Sequence, residues 1–464
     1  MIEQSGEMAR AVVRWGCSYS FLGALVLVAC SCSCGSRLHE LDAETKFNAG
    51  NDVGFVAADE PAPNTRDEEP LPVLGNCVGT SLEQGVLPVR RLTVGSDGGD
   101  ANGDSDWPDI SGDGRFVVLS SAARNLDSSQ RSGIFLLDRL DDSFTFVASP
   151  GWPAISADGR SVMFTSYASD LVEGDENDMP DIFVWEAGRI ERINVSDSGE
   201  QADVHAVGPI PRAISGDGRF VVFQSDAATL ENGVQDAQLD VFVRDRHRQT
   251  TLHLSPDTER GQGFGGLPQI SADGRLVTYF GGWCNEQYDC VRRFPSELLV
   301  HELELGTTTA LEGWREPGAP SIKSGLISLS VDGRYVAMDP SVTTLPSIIV
   351  LDTHANTTRS LGHFGDNPSI SGDGRFVAFV DRGSHLPDDT MEFFQVYVTD
   401  LELGVTYRAS SSSDGEPGNG DSGLWGPPRV SLNGRFLVFT SEASNLVCDD
   451  TNGLVDVFIA GIPQ

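Results

Sequence analysis

Three sets of side chains have types and spacings that could do chemistry. The first is a carboxylate in the phrase Ser-x-Asp-Gly-Arg, which starts at Ser111, Ser156, Ser215, Ser271, Ser330 and Ser371, and again at Ser431 with Asn433 in place of the aspartate. An active site is not built seven times into one chain, and asparagine would discard a base or an anionic ligand. Asp-Gly and Asn-Gly are the preferred pairs of type I′ hairpins, where both central residues take positive φ, so the phrase predicts turns. The second set is Asp175, Asn177 and Asp181, echoed by Asp450, Asn452 and Asp456. Alternating carboxylate and amide oxygens can wrap Ca²⁺, which takes about six to eight oxygen ligands. The EF-hand pattern is incomplete, however, and Asp and Asn also serve loops by bonding their own backbone. No cofactor is expected, and Ca²⁺ is the one these residues could hold. The third set is His205, His363 and His385, which fall in loops expected on one face and could share a metal. No His-x-His, His-Glu-x-x-His or Gly-x-Ser-x-Gly arrangement accompanies them.

The elements that must position these residues repeat with the phrase. An apolar run follows each copy, as at 116–119. A variable loop and a second apolar run come next, as at 134–137, 181–184, 240–243 and 456–459. A more polar third run follows, as at 192–196 or 251–255, and a short segment such as 153–156 leads into the next copy. These are four strands per unit, rich in Val, Ile, Phe and Thr between turn residues. The middle runs are apolar on consecutive residues, as strands are when both faces of their sheet are covered. Seven units stacked face to face around an axis meet that demand, and repeats are the first thing such a sequence says. The expected fold is all-β: a seven-bladed β-propeller of four-stranded antiparallel blades over residues 86–464. The seventh unit lacks an outer strand and a spare one, 89–94, precedes the first, so the N-terminal strand is expected to close the last blade and remove two open edges.

With its inner strand, Asp-Gly turn, apolar strand, Asp-[Ile/Val]-Phe-Val strand and polar outer strand, the unit resembles the TolB-type, WD-like propeller repeat across roughly residues 89 to 464. The resemblance implies a bacterial envelope protein whose loop face binds a protein or glycan. Lyases on related propellers hold a metal with histidines, so His205, His363 and His385 also imply a competing reading, a metal-assisted polysaccharide lyase or hydrolase. The recurring Gly-His and Trp-Asp marks of WD repeats are absent.

The rest of the chain speaks of location. Arg10 and Arg14 precede an apolar stretch, 21–29, that ends at Cys30. It is shorter than the roughly 20 residues of a membrane span and fits a secretory signal. Leu27-Val28-Ala29-Cys30 resembles the bacterial lipobox, which implies lipid modification of Cys30 and a periplasmic or cell-surface protein. Residues 1–35 are therefore read as a targeting segment. Residues 36–85, charged and Pro-rich, are read as an extended tether. An exported protein keeps disulfides. Cys284 and Cys290 share one loop and are expected to pair, and Cys77 with Cys448 would lock the ring closure. The formal charge of −36 argues against nucleic acid and favours solubility and cationic partners. A monomer is expected. Trp107, Trp152, Trp283, Trp314 and Trp425 recur near long acidic loops. Trp107, Trp283 and Trp425, with the three histidines, are the candidates for a binding face.

Overall fold

The computed structural model of the protein describes residues 86–203, 206–207, 213–231, 239–254, 262–284, 297–311, 327–339, 348–362, 365–383, 385–386 and 392–464. Seven four-stranded sheets follow one another along these residues. The first blade consists of Ser105–Ile110, Phe116–Ser121, Gly133–Asp138 and Ser143–Ala148, each antiparallel to the next. The pattern restarts at Pro153, Ala206, Gln262, Ile327 and Asp366 for blades 2 to 6. Blade 7 contributes Arg429–Val430, Phe436–Ser441 and Asp456–Gly461, and its outer strand is Val89–Arg91, in register Val89↔Ala460 and Arg91↔Phe458. The fold is the expected propeller, closed by its N-terminal strand. The pairing covers less of 89–94 than the sequence suggests, with one further bond from the Leu92 N–H to the Val457 carbonyl. In blade 2 the outer strand is Arg189–Arg192, not 192–196, because the Asn194 amide turns inward to the Asp181 carboxylate.

The middle strands are buried on both faces, as their unbroken apolar runs require. Phe116–Ser121, Ser161–Ser166 and Phe436–Ser441 are almost wholly buried. Facing aromatics bind the two middle strands of several blades. Phe164 stacks on Phe183, Phe223 on Phe242, Phe379 on Tyr397 and Phe439 on Phe458, with ring centroids 5.6–5.8 Å apart. Each such pair contributes about 0.5–1.5 kcal/mol beyond the area it buries.

The Ser-x-Asp-Gly-Arg phrase is a turn, but of another type than the Asp-Gly pair suggests. Only the glycine has positive φ, between 70° and 79° in the seven copies. The Gly N–H donates to the Ser carbonyl, for instance Gly114 to Ser111 at 3.0 Å. The two central residues are thus x and Asp, in a type I turn that ends on a left-handed glycine. The serine hydroxyl explains the shift. In every copy it donates to the Asp (or Asn433) side-chain oxygen at 2.5–2.7 Å and accepts the N–H of the residue after the arginine. The same side-chain oxygen accepts the arginine N–H, which spends the turn aspartate on local bonds.

The turns also bond to each other. Backbone N–H groups donate from Gly112 to Ala157, Asp158 to Gly216, Gly216 to Ala272, Asp273 to Val331, Val331 to Gly372, Gly372 to Leu432, and Asn433 back to Gly112, at 2.8–3.2 Å. The circle closes on itself. Each turn glycine meets the side chain that follows the arginine in the preceding blade. A Cβ on Gly114 would overlap the Phe436 ring, one on Gly159 the Phe116 ring and one on Gly374 the Tyr335 ring. The arginine braces the blade from below, reaching an acid at the end of the third strand in Arg115–Asp138, Arg219–Asp245, Arg334–Asp352 and Arg375–Asp400.

Asn433 is where the circle crosses from blade 7 to blade 1, and its amide makes a bond no aspartate could, donating Nδ2 to the Asp113 carbonyl at 3.0 Å. Asn433→Asp should therefore lower stability by about 1 kcal/mol in urea unfolding, whereas Asp373→Asn should be nearly neutral. Equal effects would show that the seam carries no special bond.

Candidate functional site

The acidic loops that read as calcium ligands are filled from within. In blade 2 the Asp181 carboxylate accepts Asn194 Nδ2 (2.6 Å), Gln201 Nε2 (2.8 Å) and Arg192 Nη1 (3.2 Å), and Gln201 Nε2 also reaches Asp175 (2.8 Å). In blade 7 Asp456 accepts Thr93 Oγ1 (2.5 Å) and Asn452 Nδ2 (2.9 Å). Arg91 lies between Asp100 (2.8 Å), Asp450 (3.3 Å) and Asp456 (3.6 Å). Asn177 and Asn452 do the same job in their loops, donating to the Ala202 and Ala101 carbonyls and accepting the N–H two residues on. A guanidinium thus occupies the middle of each oxygen cluster. Among the described residues no three His, Cys, Asp or Glu are arranged to hold a metal ion.

Sequence reasoning missed these arginines, although a signal was present. Arg91, Arg192 and Arg408 each stand seven residues before a left-handed glycine, Gly98, Gly199 and Gly415, and each of these glycines closes a small loop behind its outer strand. With three acids around one arginine at the closure, burial and repulsion from Asp456 outweigh Arg91 and push the Asp450 carboxyl up to about 6. Burial also raises Asp456.

Of the three candidate histidines, only His385 is among the described residues. His385 is buried in blade 6, with Nε2 2.7 Å from Asp381 Oδ2 and its ring edge-on to Tyr397 (4.4 Å) and Phe379 (5.4 Å). Four residues after the second strand's last polar residue, blades 1 and 7 have Asn125 and Asn445, which clamp the loop of the blade before. His385 takes that register. His205 and His363 lie outside the described residues, as do Trp314, Cys77, Cys290 and residues 1–85 with Cys30. Cys448 is disulfide-bonded. Cys284 ends the strand Leu276–Cys284 of blade 4, and Trp283 lies on that strand, three blades on from Trp107.

At the end of the propeller opposite the turns, ring closure brings the Trp425 backbone of blade 7 against Trp107 of blade 1, whose ring neighbours that of Trp152 in blade 2. Trp107 is the third residue of the inner strand of blade 1 and has φ 48°, a left-handed value that few side chains tolerate. Its N–H donates to the Trp425 carbonyl of blade 7 at 2.9 Å. Gly426, at φ 142°, admits this approach, since a Cβ there would press on the Trp107 backbone. The rings of Trp107 and Trp152 lie 6.2 Å apart at 60°. Trp152 and Trp425 are 47% and 45% exposed, well above what buried packing residues show. The Trp425 indole N–H donates to Glu442 Oε1 at 2.8 Å. One residue before Trp107, burial pushes the Asp106 carboxyl up to about 7 against the Ser120 hydroxyl, with Asp104 adding repulsion.

Below this cluster the channel wall is Ile110, Ile155, Ile214, Ile270 and Val430 with Gly112, Ala157 and Gly216, around a cavity of about 30 Å³. That is room for a water or two, not for a sugar. A wider groove between blades 5 and 6 at the turn end has its acids already paired with Arg334 and Arg375.

No family model matches the sequence, and no curated protein sequence matches it. Solved structures do. An oligogalacturonate lyase in complex with manganese is similar at 14% identity and a TM-score of 0.50, over 82% of this chain and 94% of that one. An oligogalacturonate lyase from Vibrio parahaemolyticus is similar at 12% identity and a TM-score of 0.48, over 82% and 99%. TolB from Acinetobacter baumannii is similar at 12% identity and a TM-score of 0.39, over 75% and 77%. What the chain shares with these proteins is the propeller fold.

The acid cluster at the closure makes stability depend on pH. Asp450 binds its proton more tightly in the fold than at its ordinary value of 3.8. Its contribution is therefore fully present below about pH 4 and is lost as pH rises through about 6. Asp450→Asn, neutral at every pH, should raise stability at pH 7.5 by about 1–2 kcal/mol and do little at pH 4.5. Thermal melts at both pH values check this. A loss at pH 7.5 would mean that Arg91 needs the charge.

Proposed function

We propose that this chain is a non-enzymatic binding or scaffold protein of the bacterial envelope. In this reading it is exported, lipid-anchored through Cys30 and held off the membrane by residues 36–85, and it takes a protein or glycan partner on the loop face of the propeller. The observation that carries the reading is the half-exposed tryptophan cluster at that face, built across blades 7, 1 and 2. Large exposed aromatics on a rigid scaffold are what binding surfaces are made of. The turns at the other end are consumed by the fold, and the cavity beside them, about 30 Å³, has no room for a sugar. The net charge of −36 adds a preference for partners that are not polyanions.

The competing reading is a metal-assisted polysaccharide lyase or hydrolase, for which the oligogalacturonate lyase likeness supplies a fold and no more. It needs His205, His363 and His385 at one ion, and His385 is already packed against Asp381, Phe379 and Tyr397. A ligand that binds only the folded state raises the melting temperature. Calorimetry on the full chain with EDTA, Ca²⁺ or Mn²⁺ should give one unchanged melting temperature, and oligogalacturonate incubated with the protein and Mn²⁺ should stay intact. A melting shift with Mn²⁺ that His385→Ala abolishes, or depolymerised product, would establish the enzyme.

A further inference from the structure

In a sevenfold repeat, what recurs serves the architecture and what breaks the repeat is free to serve a ligand. Trp107 and Trp152 both stand four residues before the motif serine of their blades. Leu267, Asn367 and Pro427 hold that register in blades 4, 6 and 7. Leu267 and Asn367 share the left-handed backbone of Trp107, at φ 53° and 58°. The bulge therefore belongs to the fold, and the indole placed on it does not. Trp425 sits two residues earlier in blade 7 and reaches the cluster only because the ring closes there. Leu424 beside it is 46% exposed, and Tyr167, at the same end of blade 2 by the register Pro153↔Phe164, is 76% exposed. The patch thus spans three blades without any requirement of packing.

The polar groups that border it are carboxylates. Glu442 holds the Trp425 indole N–H, the one indole donor seen bonded in the cluster, and Asp104 stands just before the strand that carries Trp107. A hydroxyl-rich ligand asks for donors and acceptors in similar number, and this border supplies acceptors. Indole faces next to carboxylates suit a cation, which the ring quadrupole attracts from within about 6 Å of its centre.

We propose that Trp107, Trp152 and Trp425, with Glu442 at their edge, form an aromatic seat for a lysine or arginine side chain presented by a basic segment of a partner protein. This rests on the binding reading above and narrows it to a cationic protein partner. The acidic surface steers such a segment to the face, and the indoles select where it lodges.

The test uses the full chain and a synthetic peptide of alternating lysine and serine, with the same peptide acetylated on every lysine and a neutral glucan oligosaccharide as comparisons. Calorimetric titration should show binding of the lysine peptide and at least about tenfold weaker binding of the acetylated one. Trp152→Ala and Trp425→Ala should each weaken the lysine peptide about three- to thirtyfold, with Trp152→Phe recovering part of the loss. Both side chains are half exposed, so the variants should melt like the parent, and Arg359→Ala, in the lining of the groove between blades 5 and 6 at the turn end, should bind unchanged. Equal binding by the tryptophan variants would reduce the effect to general attraction by an acidic surface and overturn the proposal. So would binding of the glucan in place of the peptide, or no binding of either. None of these outcomes bears on the metal titration, so the seat and the non-enzymatic reading fail separately.

Discussion

Seven backbone hydrogen bonds, each from one Ser-x-Asp-Gly turn to the next, are the constraint on which the rest of this molecule depends. Each is worth roughly 1 kcal/mol net, so the circle as a whole is comparable to the entire net stability of an ordinary domain, roughly 5–15 kcal/mol. Such a circle has no weak direction unless it is cut. The sequence concentrates special residues where it could be cut, between blades 7 and 1. Asn433 replaces the aspartate and gains a bond to Asp113. Val89–Arg91 completes the last sheet, and Arg91 is buried among Asp100, Asp450 and Asp456. Breaking a buried ion pair by removing one partner typically costs about 3–5 kcal/mol, so this one side chain weighs heavily on closure.

The closure also creates the surface to which function is assigned. Trp107 and Trp425 are more than three hundred residues apart in sequence, yet they share a backbone hydrogen bond because blade 1 lies against blade 7. The two ends of the propeller divide the work. At the turn end, serine hydroxyls, aspartates and arginines are spent on one another. At the loop end, half-exposed indoles sit on strained backbone, at φ 48° for Trp107 and beside φ 142° for Gly426. The left-handed backbone recurs at Leu267 and Asn367 and so belongs to the fold, whereas the exposed indoles placed beside it do not.

Much of this could be read from the sequence because the signals were local and repeated. Unbroken apolar runs gave strands covered on both faces, and the spare N-terminal strand gave the closure. Where the reading went astray, the deciding partner was distant or was a side chain acting on backbone. Asp-Gly suggests a type I′ hairpin, but the serine two residues earlier bonds the aspartate and moves the turn back by one residue. The loops at 175–181 and 450–456 admit both a turn and a cation-site reading because the sequence shows the acids together. It does not show Arg192 folding in from the outer strand, or Arg91 arriving from the other end of the chain. The tryptophans were visible as a composition. Which of them meet is a fact of tertiary structure, and it sets Trp152 beside Trp107.

Hydrogen exchange at the amides that close the circle tests this account most directly. Core amides exchange only through global unfolding, while weak elements open locally. The account predicts that Gly112, Asp158, Gly216, Asp273, Val331, Gly372 and Asn433 exchange together, at the rate and with the denaturant dependence of whole-domain unfolding. If Gly112 and Asn433, on either side of the seam, exchange faster than the other five and independently of denaturant, the ring opens there in the native state, and closure is not what holds the propeller together.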